Sequence, residues 1–341
     1  MGKQSARMWF DEYDHKDIYF DGHYHKQMYL SDENANLTLL WEKLEEAAAG
    51  FQFVWRGDAG GWFKAQGDFS IDWGDGTVED YSHSSLTNVF PTYETNGKYT
   101  VKITGNLTDI SFEEGYGLVE VLTPFPETMS SKTNFSYCFM DCEDLVSVPE
   151  DLFVNCPNAT SFGMAFYGCT EFVDIPENLF STCFNAVNFG GCFRGCLFTK
   201  IPEKLFANCM NAVSFYGCFA NTWLATLPDN LFAYNTKATN FGECFYGSRI
   251  RAVPDNLFGN NEELANIKNC FAHCEYLTDV SETVFDGCPN ITDCTMAFYN
   301  CQAITSAVPE LWIRTNITAY EDCYYYCYNA ENYSDIPSDW R

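Results

Sequence analysis

The sequence predicts a mainly β fold with short helical turns, in which a repeat solenoid of about eight coils follows a small antiparallel β-sandwich. Two observations carry this prediction. The motif "VPEDLF", which begins at residue 148, recurs in intact or degenerate form down to the C-terminus, and its proline-equivalent positions lie 26 to 28 residues apart. Upstream, residues 67–105 alternate apolar and polar positions between turn signals, as strands of a half-exposed antiparallel sheet do.

A second motif, of the form Asn/Ser-Phe-x-x-Cys/Ala-Phe-x-x-Cys, lies between the copies of the first. Its copies begin at positions 134, 161, 188, 214, 240, 266, 293 and 319. A period of this length is typical of a solenoid, in which each coil buries its apolar face against its neighbours. We therefore assign residues 112–341 to the solenoid, and the drifting last copies to a C-terminal cap.

The segment before the repeats has the pattern of a separate β module, which we assign to residues 51–111. Ile71 and Trp73 precede the turn residues 74–76, whose Asp-Gly pair is a strong hairpin signal. Val101 and Ile103 then alternate with polar residues on a later strand. We expect a small antiparallel β-sandwich here.

Residues 1–50 have a third pattern. Residues 16–30 read as a hairpin about Asp21–Gly22, and residues 36–50 carry leucines at helical spacing before Gly50, a C-terminal stop. Because this segment is too short to bury a core of its own, we expect it to dock onto another protein.

The composition limits the partners. The formal charge of −28 disfavours nucleic acid and anionic lipid surfaces, which would repel the chain. No stretch approaches the roughly 18 apolar residues of a membrane-spanning helix, so we expect no membrane insertion. The opening residues, "MGKQSARMWFDEYDHKD", lack the apolar core of a secretory signal, so we expect no export by the general secretory route.

The 17 cysteines all lie between Cys138 and Cys327 and form columns along the repeats. Ala165 and Ala297 replace the first cysteine of the motif, and Thr222 and Ser248 replace the second. A metal ligand does not tolerate alanine, whereas a small buried position does. We therefore predict a structural thiol ladder with no cofactor and no metal, while occasional disulfides and metal or redox chemistry stay as alternatives. The predicted ladder comprises Cys138, Cys142, Cys169, Cys192, Cys196, Cys218, Cys244, Cys270, Cys274, Cys301, Cys323 and Cys327.

These motifs carry two resemblances. The string "AFYGC" at 165–169, followed by "IPENLF", resembles bacterial leucine-rich repeats of the BspA-like type, although the period here is longer than is usual for that family. The strings "IDWGDGT" and "GKYTVKITG" resemble PKD-type immunoglobulin-like modules. The first resemblance implies a leucine-rich-repeat-type solenoid, and both families resemble parts of bacterial surface adhesins.

Signals for catalysis are weak. The five histidines form no known catalytic motif, and the "HYH" of 23–25 reads as hairpin surface, with a metal site as the alternative. Asp72 and Asp75 read as turn residues, with weak calcium binding as the alternative. A column of acids runs along the repeats, which favours a solvated face over a catalytic pair. Its members are Glu150, Glu177, Glu203, Asp229 and Asp255.

One column favours binding. The residue after the motif's second aromatic lies between two inward columns, so we expect it to face outward as an aromatic stripe suited to sugar rings or a protein partner. We define the predicted stripe as Tyr167, Arg194, Tyr246, Tyr299 and Tyr325. The alternative interpretation is that these side chains only cover the edges of the coils.

These expectations combine into a non-enzymatic adhesive or structural protein. We predict a phage virion appendage, such as a tail or head fibre, a receptor-binding protein or a decoration protein. It would assemble in the host cytoplasm, contact other virion or surface proteins through residues 1–50, and present its repeats to a host glycan or protein. The alternatives are an exported adhesin on the bacterial cell surface and, from another class, a carbohydrate-active hydrolase. Homo-oligomerisation stays open.

Overall fold

The structure is a computed structural model that describes residues 18–20, 23–25 and 50–341. The chain divides into two compact units, Met1–Ala49 and Gly50–Arg341. In the first unit, β1 (Ile18–Phe20) pairs antiparallel with β2 (His23–His25), and Phe20 lies opposite His23. The two strands of the predicted hairpin thus pair, and its turn residues Asp21–Gly22 lie outside the described residues. The helix predicted over residues 36–50 lies outside the described residues, except for Gly50, as does His15.

The second unit opens with one five-stranded antiparallel sheet. Its strand order is β5-β4-β6-β3-β7, so the long strands β4 and β6 occupy the middle. Its strands are β3 (Phe51–Arg56), β4 (Phe63–Asp72), β5 (Val78–Val89), β6 (Lys98–Ser111) and β7 (Leu118–Val121).

The predicted β-sandwich is wrong, because residues 51–121 form a single open sheet rather than two packed sheets. Alternation along β3 buries Phe51, Phe53 and Trp55 on one face. That face packs against the start of the repeats, where the ring of Phe51 stacks on Phe125 at a centroid distance of 5.3 Å. The first repeats therefore provide the second layer that a sandwich would take from another sheet.

Strand β7 joins the sheet to the repeats. It pairs antiparallel with β3 on one side, and Glu120 forms a parallel bridge with Ser147 on the other. Two hydrogen bonds flank this bridge, from the Val121 N–H to the Ser147 carbonyl at 3.1 Å and from the Val146 N–H to the Val119 carbonyl at 2.8 Å. The sheet and the repeats thus share backbone hydrogen bonds as well as an apolar core.

Residues 134–341 form what we call the repeat stack. Successive repeats donate main-chain hydrogen bonds to the next repeat, as Phe135, Tyr137 and Phe139 do to residues 161, 163 and 165 at 2.8–3.0 Å. Short pieces complete the stack: a parallel pair of β8 (Ala252–Val253) with β9 (Asp279–Val280), and 3-10 turns that include Leu311–Ile313 and Tyr333–Asp335. A further 3-10 turn, Glu127–Met129, precedes the stack. Parallel bridges join the equivalent positions Asn134, Ser161, Asn188, Ser214, Asn240, Asn266, Asp293 and Ala319.

Each repeat bends through two left-handed residues that lie four positions apart in sequence. In the first described repeat these are Tyr137 (φ 63°) and Asp141 (φ 55°). The second of these positions is glycine in the next two repeats, at Gly168 and Gly195. Glycine adopts this conformation without strain, whereas in other residues the Cβ atom makes it energetically unfavourable. Cys138 lies between these two bends and Cys142 directly follows the second, and both thiols are buried.

Ladders of aromatic rings fill the core. The longest begins at Phe112, directly after β6, and places one ring per repeat with centroids 5.0–5.8 Å apart. Its members are Phe112, Phe139, Phe166, Phe193, Phe219, Phe245, Phe271, Phe298 and Tyr324. Each such ring buries a large apolar area, so ring stacking adds to the main-chain hydrogen bonds between repeats.

Candidate binding surface

The thiol ladder lies in the interior of the repeat stack, where all 17 cysteines are buried and free. In the second column, each thiol donates to the carbonyl of the ladder aromatic one repeat earlier, at Sγ–O distances of 3.0–3.2 Å. Cys169, for example, donates to the Phe139 carbonyl. These thiols tether one repeat to the previous one. Among the described residues, no group of three His, Cys, Asp or Glu side chains is placed to hold a metal ion.

Other donors occupy the equivalent buried positions. Thr222 and Ser248 donate to the carbonyls of Phe219 and Phe245 within their own repeats, so the tether to the previous repeat is lost there. In a third column, the Asn235 amide donates to the Phe206 and Cys209 carbonyls at 3.1 and 2.9 Å.

Ahead of the last copy of the motif, the contacts that Asn235 makes in its repeat are made by Arg314. Its guanidinium donates to the carbonyls of Phe285 and Cys288, each at 2.8 Å. A long cationic side chain therefore replaces a small buried one where the stack ends.

Burial makes these thiols poor nucleophiles. Desolvation raises the pKa of Cys274 and Cys327 to about 12 and that of Cys169 well above its usual range. The thiolate is the nucleophile and the metal ligand, so a raised pKa suppresses both kinds of chemistry at neutral pH. The arrangement is suited to packing and hydrogen bonding.

The structure places the predicted stripe at half-buried positions. All five of its residues are half-buried, while Ala220 and Ala272, which share the column, are buried. The side chains do not form one unbroken row. Arg194 pairs with Glu243 at 2.9 Å, whereas the other end of the column gathers three of the tyrosines.

An aromatic cluster forms at the C-terminal end of the column. The His273 ring bridges Tyr246 and Tyr299, with ring centroids 5.2 and 5.4 Å away. Tyr299 then stacks on Tyr325 at 5.6 Å. We call the following residues the C-terminal aromatic cluster: Tyr246, His273, Tyr299, Tyr325, Tyr326, Tyr328 and Tyr333. The sequence analysis identified three of these side chains through the column.

Two phenols of this cluster, Tyr325 and Tyr328, have a raised pKa. The hydrogen bond that the Tyr325 phenol shares with Tyr326, and then the mutual repulsion that the two phenolates would have, raise the pKa of Tyr325, and desolvation raises that of Tyr328. The phenols therefore stay neutral in neutral solution. They combine apolar faces with hydroxyl donors, a pairing that is common in interfaces.

Sequence reasoning missed a second surface feature, a groove of about 300 Å³ on the first repeats. We call it the Tyr137–Tyr216 groove, after the two exposed rings that line it. The other lining residues are Ser136, Gly163, Met164, Asn188, Gly190, Gly191, Arg194 and Ser214. Its only signal in the sequence is that glycine stands at 163 and 190, where equivalent positions of flanking repeats hold Ser136 and Tyr216.

A hydrogen-bonded set of side chains holds one end of the groove. The Tyr216 hydroxyl donates to one carboxylate oxygen of Glu243 at 2.5 Å, and Arg194 pairs with the other at 2.9 Å. Burial, and then the Glu243 carboxylate, raise the pKa of the Tyr216 phenol to about 12. The ring is thus fixed in position although 42% of its surface is exposed.

The predicted acidic column is exposed along its whole length. Its Glu150 accepts a hydrogen bond from the Asn178 amide at 3.2 Å. Asp72 and Asp75 serve the turn after β4, where they accept main-chain hydrogen bonds from Gly74 and Thr77. The bonds from Thr77 lower the pKa of Asp75.

No family model matches the sequence, and no curated protein matches it. Among solved structures, the chain is similar to part of the Toll–Spätzle complex of Drosophila, with a TM-score of 0.29 and 13% identity over 59% of this chain and 31% of that one. It is also similar to part of the TLR13–ssRNA13 complex, with a TM-score of 0.27 and 12% identity over 55% of this chain and 34% of that one. The chain spans about a third of the length of these solved chains. Likeness at this level carries no argument about fold or function.

Within the part of the chain that the structure describes, no helix has the length and apolar character needed to cross a membrane.

Proposed function

We propose that this chain is a non-enzymatic adhesive or structural protein of a phage particle, such as a tail or head fibre, a receptor-binding protein or a decoration protein. In this proposal the repeats form a leucine-rich-repeat-type solenoid of about eight coils, of the BspA-like kind. Its outer surface contacts a glycan or protein of the host cell. The PKD-type resemblance of the preceding module rests on its sequence motifs alone.

The C-terminal aromatic cluster is the observation that carries the proposal. It places several tyrosines side by side on a stack whose backbone is fixed by hydrogen bonds between repeats. Tyrosine supplies a large amphipathic contact area at a low cost in side-chain entropy. A rigid row of such rings suits recognition of a partner surface.

The state of the cysteines supports assembly in a reducing compartment. All 17 are free and buried, and Sγ atoms of the second column donate to carbonyls of neighbouring repeats. Disulfides are rare where thiols are kept reduced, and exported proteins tend to form them. A phage protein assembles in the cytoplasm of its host, which matches this chemistry. Residues 1–50 are the proposed attachment to other virion or surface proteins.

Fractionation of the native source tests this proposal. We expect the chain to co-sediment with virus-sized particles through a density gradient, with residues 1–50 protected from protease and the repeats reactive to antibodies. Recovery from a bacterial envelope instead would overturn the virion assignment in favour of a cell-surface adhesin. Release of reducing sugars from a polysaccharide panel by the purified chain would overturn the non-enzymatic assignment.

A further inference from the structure

We propose that the Tyr137–Tyr216 groove is a binding site for a short neutral oligosaccharide. The inference rests on the proposed function and deepens it, because it names the ligand class and a site distinct from the C-terminal aromatic cluster. Three features of the groove carry it: uncharged polar side chains along its floor, an exposed aromatic ring toward each end, and an internal ion pair that leaves little free charge.

Ser136 and Asn188 line the groove, and the Ser161 hydroxyl, which is not among the lining residues, joins them. The Ser136 and Ser161 hydroxyl oxygens lie 2.9 Å apart, and the Asn188 amide donates to the Ser161 hydroxyl at 3.1 Å. A hydroxyl both donates and accepts, and an amide has two donor hydrogens and an acceptor oxygen, so Ser136 and Asn188 each keep capacity for a ligand. Sugar hydroxyls require such alternating partners.

Two glycines leave this row uncovered. A Cβ atom at Gly163 would lie 3.0 Å from the Asn188 amide nitrogen and 3.3 Å from the Ser136 hydroxyl. A Cβ atom at Gly190 would lie 3.1 Å from the Asn188 amide oxygen. A side chain at either position would therefore project over the polar groups and fill the groove.

The two rings belong to the repeats at opposite ends of this row. Tyr137 and Tyr216 are 45% and 42% exposed, and they belong to repeats that are three steps apart. With neighbouring strands about 4.8 Å apart, that separation is about 14 Å along the stack. Aromatic faces of this kind contact the apolar faces of sugar rings, so the spacing suits a short chain of sugars rather than one.

The charge of the groove selects against acidic ligands. Arg194 is the charged residue among those that line it, and Glu243 neutralises it at 2.9 Å. The whole chain carries a formal charge of −28, which repels anions over a longer range. A neutral oligosaccharide meets neither an unpaired charge nor this repulsion.

The backbone of the groove disfavours an extended peptide as the ligand. The carbonyls of Gly163, Gly190 and Tyr216 accept hydrogen bonds from the preceding repeat at 3.0, 2.8 and 2.7 Å. A peptide strand that adds to a sheet edge needs free main-chain groups. A ligand in this groove would therefore be bound by side-chain hydroxyls, amides and ring faces.

A binding experiment on the full chain tests the proposal. The probes are neutral gluco-, manno- and galacto-oligosaccharides of graded length, with oligogalacturonate as the anionic comparison, measured by isothermal titration calorimetry. We expect a neutral member of the panel to bind more tightly than the anionic one. Tyr137→Ala and Gly163→Ser should each weaken that binding at least about tenfold. Gly163→Ser adds no backbone strain, because φ at Gly163 is not positive and serine already stands at the equivalent position 136, so its effect comes from the side chain that it places against Asn188 and Ser136.

Matched variants separate the groove from the rest of the surface. Tyr276→Ala removes a tyrosine that is 52% exposed and does not line the groove, so it should leave the affinity unchanged. Tyr299→Ala tests the C-terminal aromatic cluster. Circular dichroism of each variant establishes that the fold is retained.

The outcomes separate this proposal from the proposed function. If no neutral member binds, or if Tyr299→Ala abolishes binding while Gly163→Ser does not, the groove proposal is overturned and the virion proposal stands. If the groove variants lose binding but the chain does not co-sediment with particles, the groove proposal stands alone. If host cells still bind the chain after periodate oxidation of their sugars, and the groove variants abolish that binding, a protein ligand replaces the oligosaccharide.

Discussion

At the scale of single residues, the interior accepts a thiol, a hydroxyl or an amide at equivalent positions because each supplies a donor to a main-chain carbonyl. What differs is the reach of that donor. Cys169 reaches the Phe139 carbonyl of the previous repeat, whereas Ser248 reaches the Phe245 carbonyl of its own. A thiol in this column therefore adds a hydrogen bond to the previous repeat, whereas outside its own repeat the Ser248 hydroxyl meets the Cys274 thiol of the next repeat, at 3.7 Å.

A reciprocal pair of substitutions tests this difference in reach. Cys169→Ser should lower the free energy of unfolding by about 1 kcal/mol, since a hydrogen bond between repeats is lost. Thr222→Cys should raise it by a similar amount, because the new thiol can reach the Phe193 carbonyl. Urea denaturation monitored by circular dichroism measures both changes. A Cys169→Ser variant as stable as the parent protein would refute the tether.

The buried thiols also predict a loss of stability in alkali. Their pKa is about 9 when exposed, and burial raises it to about 12 for Cys138, Cys274 and Cys327. Above pH 9 the unfolded chain releases these protons and the folded chain keeps them, so the stability contributed by each thiol is lost between about pH 9 and pH 12. Each thiol subtracts up to about 1.4 kcal/mol per pH unit in that window.

We therefore expect cooperative unfolding just above pH 9, measured by circular dichroism across a pH series, together with reaction of the thiols with a chromogenic reagent. At pH 8 the folded protein should react slowly. A fold that persists unchanged at pH 11 would contradict the raised pKa values.

At the scale of elements, local patterns identify strands and columns but not what covers them. The alternation of Val101 and Ile103 correctly marks a strand with one buried face. It does not say that repeats, rather than a second sheet, cover that face, and so the sandwich prediction failed. The Tyr137–Tyr216 groove was not predicted from the sequence for a related reason. It depends on side chains missing at Gly163 and Gly190, a signal that appears only once the repeats are aligned and stacked.

Two glycines at equivalent bends provide a matched test of backbone geometry. Gly168 and Gly195 both adopt a left-handed conformation, with φ of 71° and 80°. A Cβ atom at Gly195 would meet its nearest neighbour at an ordinary 3.7 Å, whereas at Gly168 it would lie 2.3 Å from the Asp141 carboxylate. Gly195→Ala should therefore cost about 1 kcal/mol of unfolding free energy from conformation alone, and Gly168→Ala should cost more.

The additional loss of unfolding free energy predicted for Gly168→Ala, compared with Gly195→Ala, has a specific control. Asp141→Gly removes the carboxylate. Position 141 is itself left-handed (φ 55°), and glycine adopts that conformation without strain. In the double variant, Gly168→Ala should cost no more than Gly195→Ala does, as measured by urea denaturation. Equal costs for the two single variants would show that Asp141 moves aside freely.

At the scale of the whole second unit, the core runs without a break from the sheet to the last repeat. Phe112 makes the connection, because it follows β6 directly and its ring stacks on Phe139 at 5.6 Å and 8°. Its carbonyl also accepts the first tether, from the Cys142 thiol at 3.0 Å. Phe112 is the first ring of the ladder. Because the sequence motifs begin at residue 134, comparison of the repeats does not identify it.

This continuity predicts that one substitution will weaken the sheet and the first repeats together. Phe112→Ala should lower the free energy of unfolding by about 3–5 kcal/mol, the usual cost of removing a buried ring. Hydrogen exchange followed by mass spectrometry should show faster exchange both in β3 and in residues 135–170. Phe258→Ala, in another ring ladder of the stack, is the matched control, because repeats couple mainly to their neighbours and β3 should stay protected. If Phe112→Ala speeds exchange in the sheet but leaves residues 135–170 unchanged, the sheet and the repeats are independent folding units that merely touch.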